Sequence, residues 1–283
     1  MTTTMIDGGA GPLAVHHLAG DPDNPNVLLV CHANGFPGRC YRAFANELAD
    51  VVRTVALDFR GHGDSATPPL DEFGWAGMSD DVRRTIDWLL AQEVDHIHAF
   101  GHSLGGAALI DAERRRPGMV ASAFAFEPVI APNAAFGQGD GSPLIQSAKT
   151  RTRQFASRAA ALARYAARPP LGLFRADVLH DYVMHGFAEQ PDGSVVLKCT
   201  PESEVATYRN AAGDIILEQM PEVTRPVCIG KSGDGQFPAQ LADAIVAQAP
   251  GASLLEFPSI THFGPLQDPI GVAAAMRSII ADA

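Results

Sequence analysis

The sequence predicts an α/β protein: a doubly wound, mostly parallel sheet interrupted by a helical cap insertion. Three observations carry that prediction. Apolar runs of strand length alternate with amphipathic helical stretches, a rhythm that places helices on both faces of a parallel sheet. One strand, residues 94–100, turns through Gly101-His102-Ser103-Leu104-Gly105-Gly106 straight into an alanine-rich helix. The rhythm stops after Phe126, resumes at Val227, and leaves a differently patterned stretch between them.

The first strong buried strand is residues 27–31, set off by a turn cluster between Pro22 and Pro25. A helix follows with Tyr41, Phe44 and Leu48 on one face, at i, i+3 and i+7. Residues 54–58 form the next strand and run into a loop of small and polar residues, 59–65. Met78, Val82, Ile86 and Leu89 make a helical stripe. Ser79 is placed to cap that helix, and Asp80 and Asp81 suit the positive end of its dipole. The helix after the glycine turn begins near Leu104 and ends at Arg114-Arg115-Arg116, cations at a helix C-terminus, before the stop signal Pro117-Gly118. Residues 121–126 read as a core strand ending at Glu127-Pro128.

Residues 132–143 are rich in Gly and Pro, and residues 221–226 close the middle section. The predicted division is therefore a core of residues 1–131 and 221–283 with a cap of residues 132–220. Inside the cap, a helix over 158–167 is capped by Ser157 and stopped by Pro169-Pro170, and a second helix spans 177–187. The strand-helix rhythm returns with a strand at 227–229, a helix entered at Pro238, a strand at 253–257 and a last helix from Pro269.

A chain of 283 residues with 46% hydrophobic content can build one large core, and mean hydropathy near zero marks an ordinary globular protein. A formal net charge of −11 argues against a nucleic-acid binder, which needs a basic face. Cys31, Cys40, Cys199 and Cys228 show no C-x-x-C spacing, so reduced thiols in a cytoplasmic protein are expected. The first residues lack a basic region and an apolar core, so no secretory signal is read there. No segment reaches the roughly 18 apolar residues a membrane span requires, so no membrane partner is expected. No H-E-x-x-H, cysteine cluster or Walker-type loop appears, so neither metal nor cofactor is implied. Oligomeric state stays open, a homodimer being one option.

The chemistry concentrates at Ser103. Serine is a poor nucleophile in water, so a site using it must expose Oγ and surround it with a base and oxyanion donors. The pattern G-x-S-x-G at a strand-to-helix turn meets the first need. This turn, the glycine-rich segment Cys31-His32-Ala33-Asn34-Gly35-Phe36-Pro37-Gly38, the 58–65 loop and the late Thr261-His262-Phe263 together resemble the α/β-hydrolase superfamily. The resemblance covers essentially the whole chain, with nucleophile, acid and histidine in that superfamily's order. It implies the α/β-hydrolase fold and a serine hydrolase with a cap.

Under that resemblance, Ser103 is the nucleophile and His262, after the last strand, is the base. Of the ten histidines, His32 and His62 fall in turns that the resemblance assigns to structure, and His102 is fixed inside the elbow. His180 and His185 on a cap helix line the pocket or face solvent. The oxyanion hole combines the backbone N–H of Leu104 with that of Asn34; aligning Gly35 to Gly38 instead would make Phe36 the donor. Two carboxylates compete as the acid. Asp234 lies in the loop after the post-cap strand, where most relatives place it, though shifted by one residue. Glu127 follows the strand after the nucleophile, a position used by some haloalkane dehalogenases and zearalenone-type lactonases. Glu127 is preferred because an ionisable group directly after Phe124-Ala125-Phe126 is costly to bury without a partner.

A serine at the elbow excludes the dehalogenases and epoxide hydrolases of this fold, which need a carboxylate there. The expected function is cleavage of a carboxylic ester or lactone of a small, fairly apolar molecule through an acyl-enzyme. Phe136, Phe155, Tyr165, Phe174, Tyr182, Met184 and Phe187 are cap residues that line the pocket or pack the core. Lys149, Arg151, Arg153, Arg158, Arg164 and Arg168 make the cap basic, read mainly as solvated helix surface. Two alternatives stand: a carbon–carbon bond hydrolase for ring-cleavage products, favoured by a cap cation gripping a substrate carboxylate, and a non-catalytic small-molecule receptor on the same fold.

Overall fold

The computed structural model describes residues 2–132, 141–211, 215–235 and 237–283. Strands β1 (Thr3–Asp7) and β2 (Pro12–Ala19) open the chain, followed by β3 (Asn26–Cys31). Helix α1 (Arg42–Asn46) leads to β4 (Arg53–Leu57), α2 (Trp75–Leu90), β5 (His96–His102), α3 (Leu104–Arg115) and β6 (Ser122–Phe126). Next come α4 (Pro143–Lys149), β7 (Gln154–Phe155), α5 (Arg158–Ala166), α6 (Ala176–His185), β8 (Phe187–Glu189), β9 (Val195–Leu197) and α7 (Pro201–Arg209). The chain returns through β10 (Cys228–Ser232), α8 (Phe237–Gln248), β11 (Ser253–Phe257), the short α9 (Gly264–Gln267) and α10 (Pro269–Ala281).

Eight strands form one sheet in the order β1-β2-β4-β3-β5-β6-β10-β11. The β1–β2 and β2–β4 pairs are antiparallel; every other neighbour is parallel. The central strands show why an uninterrupted apolar run was legible: Val27 to Cys31 are fully buried because helices cover both faces. The order jumps from β4 back to β3 and on to β5. That crossover sets the carboxyl ends of β3 and β5 side by side, the place where open α/β sheets hold their ligands.

Between β6 and β10 the described residues form helices α4 to α7 and a small antiparallel sheet, β7-β9-β8. This insertion rests on the carboxyl edge of the main sheet. Arg42 grips Asp181 on α6 with two bonds of 2.8 and 3.0 Å, and Trp75 Nε1 donates to the Thr207 carbonyl at 2.8 Å. Its apolar faces join the core layer that contains Phe36, Tyr41, Phe44 and Phe100.

Several local expectations differ from the structure. Helix α2 begins four residues before Ser79, with Gly74 as N-cap, so Ser79 is a buried mid-helix residue rather than a cap. The predicted helix through Tyr41 and Leu48 is a 3-10 turn over Gly38–Tyr41 followed by five α-helical residues. The second cap helix stops at His185, and Phe187 starts a strand. β1, β2 and the cap sheet were not read from the sequence. Ser157 does cap α5, accepting from the Ala160 N–H at 3.2 Å.

Candidate active site

Ser103 joins β5 to α3 at φ 56° and ψ −115°, a conformation that costs a non-glycine residue of order 1–3 kcal/mol. Bonds to the neighbouring strand hold it there. Its N–H donates to the Phe126 carbonyl at 3.0 Å, and its carbonyl accepts from Ala107 at 3.0 Å. A Cβ on Gly105 would lie 2.1 Å from the Cys31 carbonyl oxygen and 2.7 Å from that of His32. The glycine therefore lets the elbow pack against the end of β3, where the oxyanion turn begins.

His262 lies in the loop after β11. Its Nδ1 is 2.7 Å from Glu127 Oε2, and the other oxygen of Glu127 accepts from the Ser232 N–H at 2.7 Å. A carboxylate only accepts, so Nδ1 carries the proton and Nε2 is left as the basic nitrogen. Glu127 is fully buried and sits at φ 44°, again in the left-handed region. Asp234 meets a different part of the same loop: Oδ2 accepts from the His262 backbone N–H at 3.0 Å and Oδ1 from Ser232 Oγ at 3.0 Å. One carboxylate thus holds the ring and the other holds the main chain.

The turn after β3 supplies amides, most of them engaged. Ala33 donates to the Tyr41 hydroxyl at 3.2 Å, Gly35 to His62 Nε2 at 3.0 Å, and Phe36 to the Ala33 carbonyl at 3.2 Å. Among the described residues, no acceptor meets the N–H of Asn34 or of Leu104. Of the two donors that the sequence left open, Phe36 has spent its amide on the turn.

Three buried histidines brace this turn as neutral rings. His32 gives a proton to the Ala33 carbonyl and accepts from Phe59 N–H; burial pushes its pKa down to about 3. His62 gives one to the Arg60 carbonyl, and burial lowers its pKa to about 4. His102 Nε2 donates to the His262 carbonyl at 2.8 Å, so Nδ1 accepts from the Tyr41 hydroxyl at 2.7 Å. Burial, and then the nearby His262, hold the His102 pKa well below the ordinary value. Tyr41 and His102 thereby link the Asn34 turn to the His262 loop, a connection that sequence reasoning missed. Tyr41 had offered only its place in an apolar stripe.

The cap residues separate by burial. Phe174, Tyr182 and Phe187 are buried, Phe155 and Tyr165 half-buried, and Met184 and His180 exposed; Phe136 lies outside the described residues. Arg153 and Arg158 make exposed or half-exposed ion pairs with Glu202 and Glu189, and Arg164 and Arg168 are exposed. Arg151 is the exception to the solvated-surface reading: its side chain is only 15% exposed and pairs with Glu204 at 2.5 Å. A cleft of about 590 Å³ lined by Glu113, Ser122, Pro226 and Ser253 lies at the amino ends of β6, β10 and β11. That is the wrong end of the sheet for this chemistry.

Among the described residues, no helix is long and apolar enough to cross a membrane. The family model described as "Alpha/beta hydrolase family" matches residues 27–275. Among curated relatives, a probable protein phosphatase methylesterase 1 of Caenorhabditis elegans is 29% identical over 86 residues, 30% of this chain and 24% of that protein. A putative carbamate hydrolase RutD of Agrobacterium fabrum is 29% identical over 100 residues, 35% of this chain and 37% of that protein. The matches thus span about a quarter to a third of those relatives' length. The solved structure of E-2-(acetamidomethylene)succinate hydrolase superposes with TM-score 0.81 at 22% identity, covering 100% of this chain and 99% of that one. At that identity the likeness concerns the fold. With the family model spanning the sheet from β3 to β11 and nearly all the helices, this chain belongs to the alpha/beta hydrolase family.

Proposed function

We propose that the protein is a serine hydrolase that cleaves a carboxylic ester or lactone through an acyl-enzyme. The observation that carries this reading is the part-buried Glu127–His262 bond of 2.7 Å, together with the strained Ser103 elbow. In this mechanism His262 Nε2 takes the Ser103 proton as Oγ attacks the substrate carbonyl, and Glu127 steadies the imidazolium that forms. The Leu104 and Asn34 amides hold the oxyanion. His262 returns the proton to the leaving oxygen, then draws one from water, which releases the acyl group. Asp234 holds the His262 main chain rather than its ring. The methylesterase names among the partial relatives agree with ester chemistry.

A carbon–carbon bond hydrolase using the same groups remains the second reading, favoured by one observation: a cap arginine, Arg151, lies buried against the oxyanion turn. A fluorophosphonate probe with mass mapping tests the nucleophile. Labelling at Ser103, with turnover of an ester or lactone panel abolished in Ser103→Ala, is the expected result. Labelling elsewhere, or unchanged turnover in that variant, overturns the mechanism. Tight binding of a panel member without turnover would make the protein a receptor.

A further inference from the structure

The site has a surplus of hydrogen-bond donors at its cap end. Arg151 comes from the stretch after α4 and buries its guanidinium against Gly35, the residue next to the Asn34 amide. A Cβ at Gly35 would lie 2.8 Å from Arg151 Nη1. Nη1 pairs with Glu204 Oε2 at 2.5 Å, and Nη2 donates to the Tyr182 hydroxyl. A guanidinium has five N–H donors, and these two bonds use two of them.

The Tyr182 oxygen is an acceptor in that bond, because arginine has nothing to accept with. Its own proton must therefore point elsewhere, and among the described residues no acceptor meets it. Tyr182 is fully buried. Tyr165 packs its ring against Tyr182 with centroids 5.6 Å apart, and its buried hydroxyl has no partner at all among the described residues. Two phenolic O–H groups without acceptors, on touching rings, and a cation bonded to one of them thus form one cluster with a single counter-charge, Glu204. Leaving buried donors unmet is destabilising. An anionic oxygen would satisfy them together.

The place is also correctly connected to the reacting atoms. A row of touching rings runs from Tyr182 to Phe36 (5.3 Å), Phe36 to Phe263 (5.9 Å) and Phe263 to His262 (5.4 Å). The donor cluster and the base are the two ends of one aromatic wall, and Asn34 lies beside Gly35 at the donor end. A neutral apolar ester would leave the donors unmet.

We propose that Arg151, Tyr182 and Tyr165 bind a free carboxylate of the substrate, so that the substrate class is an acyl compound that also carries a carboxylate near the scissile carbonyl. Glu204 orients the guanidinium and balances its charge. This rests on the hydrolase reading for its meaning, yet binding can be measured without turnover. The probes are N-phenylsuccinamic acid and its methyl ester, titrated calorimetrically into the intact protein at pH 7.5. The acid is expected to bind at least about tenfold more tightly than the neutral ester, the worth of one to two charge-assisted bonds.

That gap should close in the Arg151→Met/Glu204→Gln double variant, built so that neither charge is left buried alone. It should shrink about threefold or more in Tyr165→Phe, which changes no charge and decides the matter if the double variant does not fold. Equal binding of acid and ester, no binding of either, or a gap that survives these variants overturns the proposal. Labelling of Ser103 is read in parallel. Labelled protein without acid preference rejects the carboxylate site alone, and acid preference without labelling rejects the nucleophile alone.

Discussion

Two of the three described non-glycine residues at positive φ, Ser103 and Glu127, are members of the candidate triad. Each ends a parallel strand, β5 or β6, and each is stitched to a neighbour, Ser103 to Phe126 and Glu127 to the Gly230 carbonyl at 2.9 Å. Strain at these points turns a side chain out of the sheet plane towards the space above the carboxyl edge. The two carboxylates then make a sharp comparison. Glu127→Gln, which can no longer take the charge of the imidazolium, is expected to lower kcat by about 10³-fold or more. Asp234→Asn keeps an oxygen for the His262 N–H and is expected to cost about tenfold or less. Steady-state kinetics on a turned-over ester compares them, and the reverse order would transfer the acid role to Asp234. Tyr41→Phe removes the group between Ala33 and His102. It is expected to cost about 1–3 kcal/mol in urea denaturation, because two buried polar atoms lose their partner.

At the scale of elements, the site depends on how closely β3 and the start of α3 approach. Gly105→Ala places a methyl against the carbonyls of Cys31 and His32, both main-chain atoms of the central sheet, and neither can yield cheaply. The expected outcome is loss of soluble folded protein, or a fall of several degrees in Tm with loss of Ser103 labelling. A stable, fully labelled variant would show that the turn tolerates being pushed apart. The cap is held by separate devices. Ser157→Ala removes the N-cap of α5 and should lower stability by about 1 kcal/mol, measured by denaturant titration, since one orphan N–H loses its acceptor.

For the molecule as a whole, the neutral buried histidines dictate how stability responds to acid. His32, His62 and His102 have folded-state pKa values below the ordinary 6.5, with burial as the first cause. Below about pH 6.5 the unfolded chain takes up these protons and the folded protein refuses them, so stability falls as pH falls. The slope reaches about 1.4 kcal/mol per pH unit for each such group, and it continues until the folded rings themselves titrate, near pH 4 for His62. Asp58 adds to the same trend. Burial alone would raise its pKa, but the hydrogen bonds from His16 and the Asp64 N–H hold it below the usual carboxylate range, so its share is lost only as pH falls below about its ordinary 3.8. The urea midpoint should therefore drop steadily between pH 7 and 5. A flat midpoint over that window would mean these rings are not held neutral.

By itself the sequence determined the alternation of strands and helices, the family and the strand-to-helix turn at Ser103, and it named two candidate carboxylates and three candidate amide donors. These were legible because each rests on local chemistry: apolar runs, glycine spacing, Gly and Pro punctuation. Edge strand β1 escaped because its exposed face breaks the apolar run, with four of its five residues exposed; β2, inside the sheet and largely buried, escaped because His16 and His17 interrupt its apolar residues. Only the tertiary structure decided which carboxylate meets the His262 ring, because the end of β6 meets β10 and the loop after β11 across more than a hundred residues of chain. It also separated Arg151 from five other cap cations identical in their local signal. Burial beside Gly35 and two tyrosines comes from the segment between β6 and β10 folding back on the sheet, and no spacing along the chain records it.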